Sequence, residues 1–187
     1  MRPYVNSLIK SAVLSIALFT AATEMRGEPV PQGSAPVLRS DFTVPGGGVH
    51  WKPNQWKGYH PFPEFGNDPK EKAFHVKPGT GKYGFGFVNQ KQRIAARAGQ
   101  KIAVELTAKG TGEIFVGLQN FSKGKYVAVA KSAAAGLQPE WQRYKLEIPV
   151  VDSKQNQPTD SVMLTFGGRK NTELYLKDLS ASAIDGK

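Results

Sequence analysis

The chain contains no cysteine in its 187 residues. Disulfides, thiolate metal sites, cysteine nucleophiles and attachment through a lipobox cysteine are therefore excluded together. Long apolar runs are missing too. Residues 11–22 (SAVLSIALFTAA) form an apolar run of about a dozen residues, where a spanning helix needs roughly 20. No segment carries a useful helical repeat; residues 131–137 (KSAAAGL) are alanine-rich but short, and Gly136 ends them. Catalytic signatures are equally scarce. His50, His60 and His75 match no HExxH-type metal spacing, and no G-x-S-x-G elbow for acyl transfer occurs. A glycosidase needs two carboxyls flanking a cleft. Glu64, Asp68, Glu105, Glu113, Glu147 and Asp152 are available, but nothing in the sequence pairs them. The expectation is a protein that is not an enzyme.

Met1-Arg2 and Lys10 put positive charge before the apolar run, and Thr20-Ala21-Ala22 places small residues where an export peptidase cuts. Residues 1–22 therefore read as a signal peptide, leaving no membrane span in the mature chain. The alternatives are an uncleaved anchor and a buried core helix. Residues 23–37, rich in Pro, Gly and small polar residues, read as a flexible linker, and residues 38–187 as one domain. The expected location is secreted or periplasmic, of bacterial type. Twenty-five Lys and Arg against 15 Asp and Glu give a net charge of +10. The lysines are scattered through loops rather than run together, which suits a soluble surface with weak attraction for anions such as an anionic polysaccharide. Export makes nucleic acid an unsuitable partner.

From residue 82 onward apolar and polar side chains alternate with period two. Tyr83, Phe85 and Phe87 form one such set; Ile102, Val104 and Leu106 another; then Ile114, Val116 and Leu118; Tyr144, Leu146 and Ile148; Val162, Leu164 and Phe166; and Leu174 with Leu176. Glycine- and proline-containing turns separate them. Short strands with one oily face pack only as stacked sheets, so the expected fold is an all-β antiparallel β-sandwich.

Residues 45–82 show little periodicity and many Pro and Gly, yet Trp51, Trp56, Tyr59, Phe62 and Phe65 sit among them. Irregular segments of this length are functional loops or disordered stretches, and the aromatics argue for order. Sugars offer C–H faces to aromatic rings and hydroxyls to planar polar groups. Trp51, Trp56 and Tyr59, interleaved with Asn54, Gln55 and His60, meet both needs; the competing reading pins the same rings against the sandwich edge. A second candidate surface is the outer face of a sheet, where alternation places Gln92, Glu105, Thr107, Phe115 and Gln119 opposite the aliphatics. Phe115 there is either a stacking platform or covered by a loop. Trp141, at the start of a strand, is expected in the core.

Several short pieces, read in order, resemble the jelly-roll carbohydrate-binding modules of the galactose-binding-like superfamily, of the type attached to xylanases and cellulases. Asp41-Phe42 is similar to their "D-F-E" opening strand, and Gln92-Arg93-Ile94 with Ala98-Gly99-Gln100-Lys101-Ile102 to their "Q-x-I … x-G-x-x-Y" stretch. Leu106-Thr107-Ala108-Lys109-Gly110 resembles "sf-x-a-k-g", Trp141-Gln142-Arg143-Tyr144 resembles "W-q-x-y", and Leu174 to Ser180 resembles the closing "l-y-i-D-d-v-s" strand. The resemblance spans residues 38–184. It implies a jelly roll, non-catalytic binding of poly- or oligosaccharide, and a Gln92 side chain directed into the binding cleft. It also implies a structural calcium between Asp41 and Asp178, although Thr43 stands where the family has glutamate and removes one oxygen donor. The alternative for Asp178 is a backbone partner at the strand end. The alternative for the whole chain is an exported structural or protein-interaction domain without a sugar ligand.

Overall fold

The alternation of oily and polar side chains closes a sandwich of two antiparallel sheets. The computed structural model describes residues 38–129, 132–152 and 157–186. The expected signal peptide at 1–22 and linker at 23–37 lie outside the described residues. Thirteen strands follow in chain order: β1 (Leu38–Asp41), β2 (Trp51–Pro53), β3 (Phe65–Asp68), β4 (Ala73–Val76), β5 (Phe85–Asn89), β6 (Ile94–Ala95), β7 (Gln100–Thr111), β8 (Glu113–Ser122), β9 (Lys125–Val129), β10 (Ala133–Gly136), β11 (Gln142–Pro149), β12 (Ser161–Gly168) and β13 (Glu173–Asp185). Among the described residues no helix is long and apolar enough to cross a membrane.

The first sheet runs β11-β7-β13-β4-β3, with β1 also on β13. The second runs β10-β8-β12-β5-β2, with β6 on β12 and β9 on β8. Every recorded pairing is antiparallel. The long strands β7 and β8 follow one another but belong to opposite sheets, so the chain crosses the sandwich at Gly112. Its φ of 88° is a left-handed value that favours glycine, and a Cβ there would lie 2.6 Å from the Thr172 hydroxyl.

Ile102, Val104 and Leu106 from β7 and Ile114, Val116 and Leu118 from β8 are fully buried, as are Val162, Leu164 and Phe166 from β12. Each such side chain adds about 1.5–3 kcal/mol relative to exposure. The residues between them face outward and are half-buried: Glu105 and Thr107 on β7, Phe115 and Gln119 on β8, Met163 and Thr165 on β12. The antiparallel β-sandwich expected from the alternation is therefore the architecture observed.

Residues 45–82 prove richer in structure than their periodicity suggests. They hold β2, a 3-10 turn at Lys57–Tyr59, β3 and β4. Strand β4 inserts Phe74 and Val76 into the core, and its four residues are too few for a two-beat pattern to stand out. The alanine-rich segment becomes β10, paired with β8. Trp141 corrects the expectation that it packs in the core. It is half-buried beneath two cations, with Lys177 Nζ 4.0 Å and Lys109 Nζ 5.2 Å from its ring centre.

Candidate functional site

After Pro53 the chain leaves β2 and doubles back over the second sheet. The Asn54 backbone N–H donates to Gly86 O on β5 (2.8 Å), and the Trp56 N–H donates to the Asn54 side-chain Oδ1 (3.0 Å). The 3-10 turn follows, closed by the Tyr59 N–H on Trp56 O (3.0 Å). Tyr83 joins from the far side through its N–H to Gly58 O (3.3 Å). These bonds set three rings against one another. Trp56 meets Tyr59 edge-on at 5.0 Å and lies tilted by 34° against Tyr83 at 5.1 Å. Both Trp56 (51%) and Tyr83 (47%) remain strongly exposed for such large rings. Missing side chains make room for them. A Cβ on Gly58 would lie 2.5 Å from the Trp56 ring, and one on Gly86 2.9 Å from the Tyr59 ring.

The sheet supplies the floor. Phe115, Gly117 and Gln119 point outward from β8, and Thr165 on β12 sits opposite Gly117. Phe115 lies across Gly167, where a Cβ would come within 2.6 Å of its ring. Just beyond β12, Arg169 donates from Nε to Glu113 Oε1 (3.0 Å), with its guanidinium 5.7 Å from the Phe115 ring centre. Burial pushes the Tyr59 hydroxyl above its usual pKa, while the nearby Arg169 charge pulls the other way. Rings and floor enclose a cleft of about 470 Å³, which Asn54 and Ser132 also line. Its described lining carries one charge, that of Arg169, and no carboxylate.

Trp56, Tyr59, Phe115 and Gln119 thus come together: the loop and the sheet face, separate candidates in sequence, are two sides of one cleft. Three expectations need correction. Trp51 is 4% exposed, packed at 4.8 Å against Phe166, and its Nε1–H donates to Ser40 Oγ (2.9 Å); the ring is in the core and has no free face. Gln92 is half-buried in the turn after β5, where Asn89 Oδ1 accepts its backbone N–H (3.0 Å), and it does not line the cleft. Glu105 and Thr107 face outward from β7, on the other sheet, where Glu105 pairs with Arg143.

Gly117, Ser132 and Thr165 join the lining without having been site candidates, and so do two larger side chains, Tyr83 and Arg169. Alternation groups Tyr83 with Phe85 and Phe87 on one face, but Gly84 (φ 89°) turns the chain before β5 begins and sends Tyr83 outward. Arg169 follows Gly167-Gly168 with nothing to distinguish it from the other scattered cations.

The calcium expectation rests on Asp41 and Asp178, which the β1–β13 register places directly opposite each other. Asp41 Oδ1 already accepts the Thr43 backbone N–H (2.9 Å) and hydroxyl (2.6 Å), and these bonds hold its carboxyl below the usual carboxylate pKa. Calcium takes six to eight oxygens, several of them usually carboxylate. No group of three or more His, Asp or Glu side chains suited to a metal occurs among the described residues. Asp41 and Asp178 thus supply two carboxylates, and Thr43 offers a hydroxyl where the resemblance implies a third acid.

A second, smaller hollow of about 230 Å³ lies beside β3 and β4 and contains Glu64 and Asp68. Glu64 is tied to Lys77 Nζ (2.6 Å), and Asp68 Oδ1 accepts the backbone N–H groups of Lys70 (2.9 Å) and Glu71 (3.0 Å). Both carboxylates cap local structure.

No protein-family model matches the chain, and no curated protein sequence does. Solved structures do match. The module BiXyn10A CBM1, in its apo form, aligns with 80% of this chain and 99% of its own at a TM-score of 0.50 and 11% identity. A family 29 carbohydrate-binding module complexed with cellulohexaose aligns with 82% of this chain and 95% of its own, at a TM-score of 0.48 and 11% identity. An arabinose-bound MgGH51 α-L-arabinofuranosidase aligns with 79% of this chain and only 27% of its own, at a TM-score of 0.49 and 15% identity. At such identities the likeness is one of fold: the chain has the jelly-roll architecture of carbohydrate-binding modules.

Proposed function

We propose that this chain is an exported, non-catalytic carbohydrate-binding protein that holds a poly- or oligosaccharide in the cleft over the second sheet. One observation carries the reading. The exposed rings of Trp56 and Tyr83 and the half-buried ring of Tyr59 converge on planar and hydroxyl polar groups (Asn54, Gln119, Thr165) over a shared floor. Rings take the C–H faces of a sugar, and amide and hydroxyl groups take its hydroxyls, with a small set of polar groups fixing orientation. The described lining offers no carboxylate, whereas glycosidic hydrolysis uses a pair, and this supports a binding role over a catalytic one. Export is carried by the composition of residues 1–22.

The test is a panel of plant, fungal and bacterial polysaccharides run in affinity gels, followed by calorimetry on the best ligand. Gln119→Ala is expected to weaken binding about fivefold, the loss of roughly one hydrogen bond, with the melting temperature unchanged. Failure of every glycan class would overturn the reading and leave the cleft as a protein-docking surface.

A further inference from the structure

Strand β8 runs on beyond the cleft, whose lining on that strand ends at Gln119. Six residues beyond Phe115 on that strand, past a register shift between Asn120 and Phe121, stands Phe121, a buried ring (8% exposed) about 20 Å away at the usual rise per residue. Each of these phenylalanines carries an arginine. The Arg169 guanidinium sits 5.7 Å from the Phe115 ring centre, and that of Arg93 3.9 Å from the Phe121 ring centre. The two arginines flank opposite ends of β12: Arg93 precedes Ile94, which pairs with Val162, and Arg169 directly follows Gly168. Between them the outward residues Gly117, Gln119, Met163 and Thr165 carry no charge.

The neighbouring carboxylates leave both arginines with donors to spare. Glu113 accepts only Arg169 Nε at the first end. Asp160 lies close enough to Arg93 to feel its charge, but its oxygens accept the Lys123 backbone N–H and the Ser161 hydroxyl. A guanidinium braced beside a ring presents its remaining N–H groups in a fork that matches a carboxylate or sulfate.

We propose that the ligand is an acidic glycan of several sugars, whose acid groups pair with Arg169 at one end of the trough and Arg93 at the other. This rests on the sugar-binding reading of the cleft and narrows its substrate class. Exposed rings take the sugar faces, the neutral floor leaves the chain free to lie along it, and the arginines set which chains are held.

Calorimetry on the full mature chain tests it with three hexasaccharides: galacturonate, a sulfated galactan, and neutral cellohexaose. Binding of either acidic chain at least tenfold tighter than the neutral one supports the proposal, and the tighter of the two identifies the acid group. Arg93→Gln, outside the cleft lining, should weaken acidic binding about tenfold and leave neutral binding within twofold, and Arg169→Gln should also weaken acidic binding about tenfold. Lys101→Gln and Lys145→Gln remove the same charge from the first sheet and should change little. Equal affinity for neutral and acidic chains, or equal losses in the lysine controls, overturns the acidic assignment while leaving sugar binding in place. If no hexasaccharide of either class binds, it is the sugar-binding reading itself that falls.

Discussion

Trp51→Ala is expected to cost about 3–5 kcal/mol of folding stability, the usual range for deleting a buried large ring. Its ring belongs to an aromatic cluster in which Phe42 and Phe166 lie 6.4 and 4.8 Å away. Its indole N–H reaches Ser40 on β1, in the opposite sheet, so one side chain ties β2 at the edge of the second sheet to the first. Truncation opens a cavity that the surrounding rings cannot collapse to fill, and it leaves β2 held by three register pairs to β5. Urea unfolding followed by near-ultraviolet circular dichroism measures the loss. Trp51→Phe should recover part of it, since it restores the ring contact without the donor. A Trp51→Ala protein of unchanged stability that no longer bound sugar would return this ring to the surface, against the packing described.

Trp56→Ala is expected to do the opposite. Half-exposed and standing on a glycine, Trp56 contributes little burial, and its removal should change stability by no more than about 1 kcal/mol. Its effect should fall on affinity: about 2 kcal/mol, or roughly thirtyfold in Kd, the size expected for a central aromatic contact. The ring is braced by Tyr59 and Tyr83, so little freedom is lost when a sugar settles on it. Calorimetry and thermal melts on one preparation separate the two quantities. A thirtyfold loss accompanied by a large drop in melting temperature would mean that the ring holds the loop rather than the ligand.

The contrast between these two tryptophans marks how far the sequence could be read. They stand five residues apart in one irregular segment, with the same polar neighbours and no periodicity to assign either to a face. What separates them is that Trp51 falls in a three-residue strand paired with β5, whereas Trp56 falls after the chain has left the sheet. That pairing is long-range and leaves no local mark. The long strands were different. Ile102, Val104 and Leu106, or Ile114, Val116 and Leu118, announce their buried face by alternation alone. The same rule puts Phe115 and Gln119 outward, where both line the cleft. Alternation says nothing about which sheet a strand enters, and Glu105 and Thr107 were accordingly grouped with a face they do not share. Asp41 and Asp178 lie opposite one another in the β1–β13 register, and Asp41 Oδ1 accepts the Thr43 hydroxyl, where the resemblance has an acid at that position.

The three indole N–H groups provide the most direct test of the cleft, because each lies in a different place: Trp56 at its wall, Trp51 in the core, and Trp141 beneath Lys177 on β13 of the other sheet. A nitrogen–proton correlation spectrum of the labelled protein, titrated with the best hexasaccharide, should shift the Trp56 signal strongly and leave those of Trp51 and Trp141 in place. A titration that moved Trp141 and spared Trp56 would put the sugar on the wrong sheet and contradict the account.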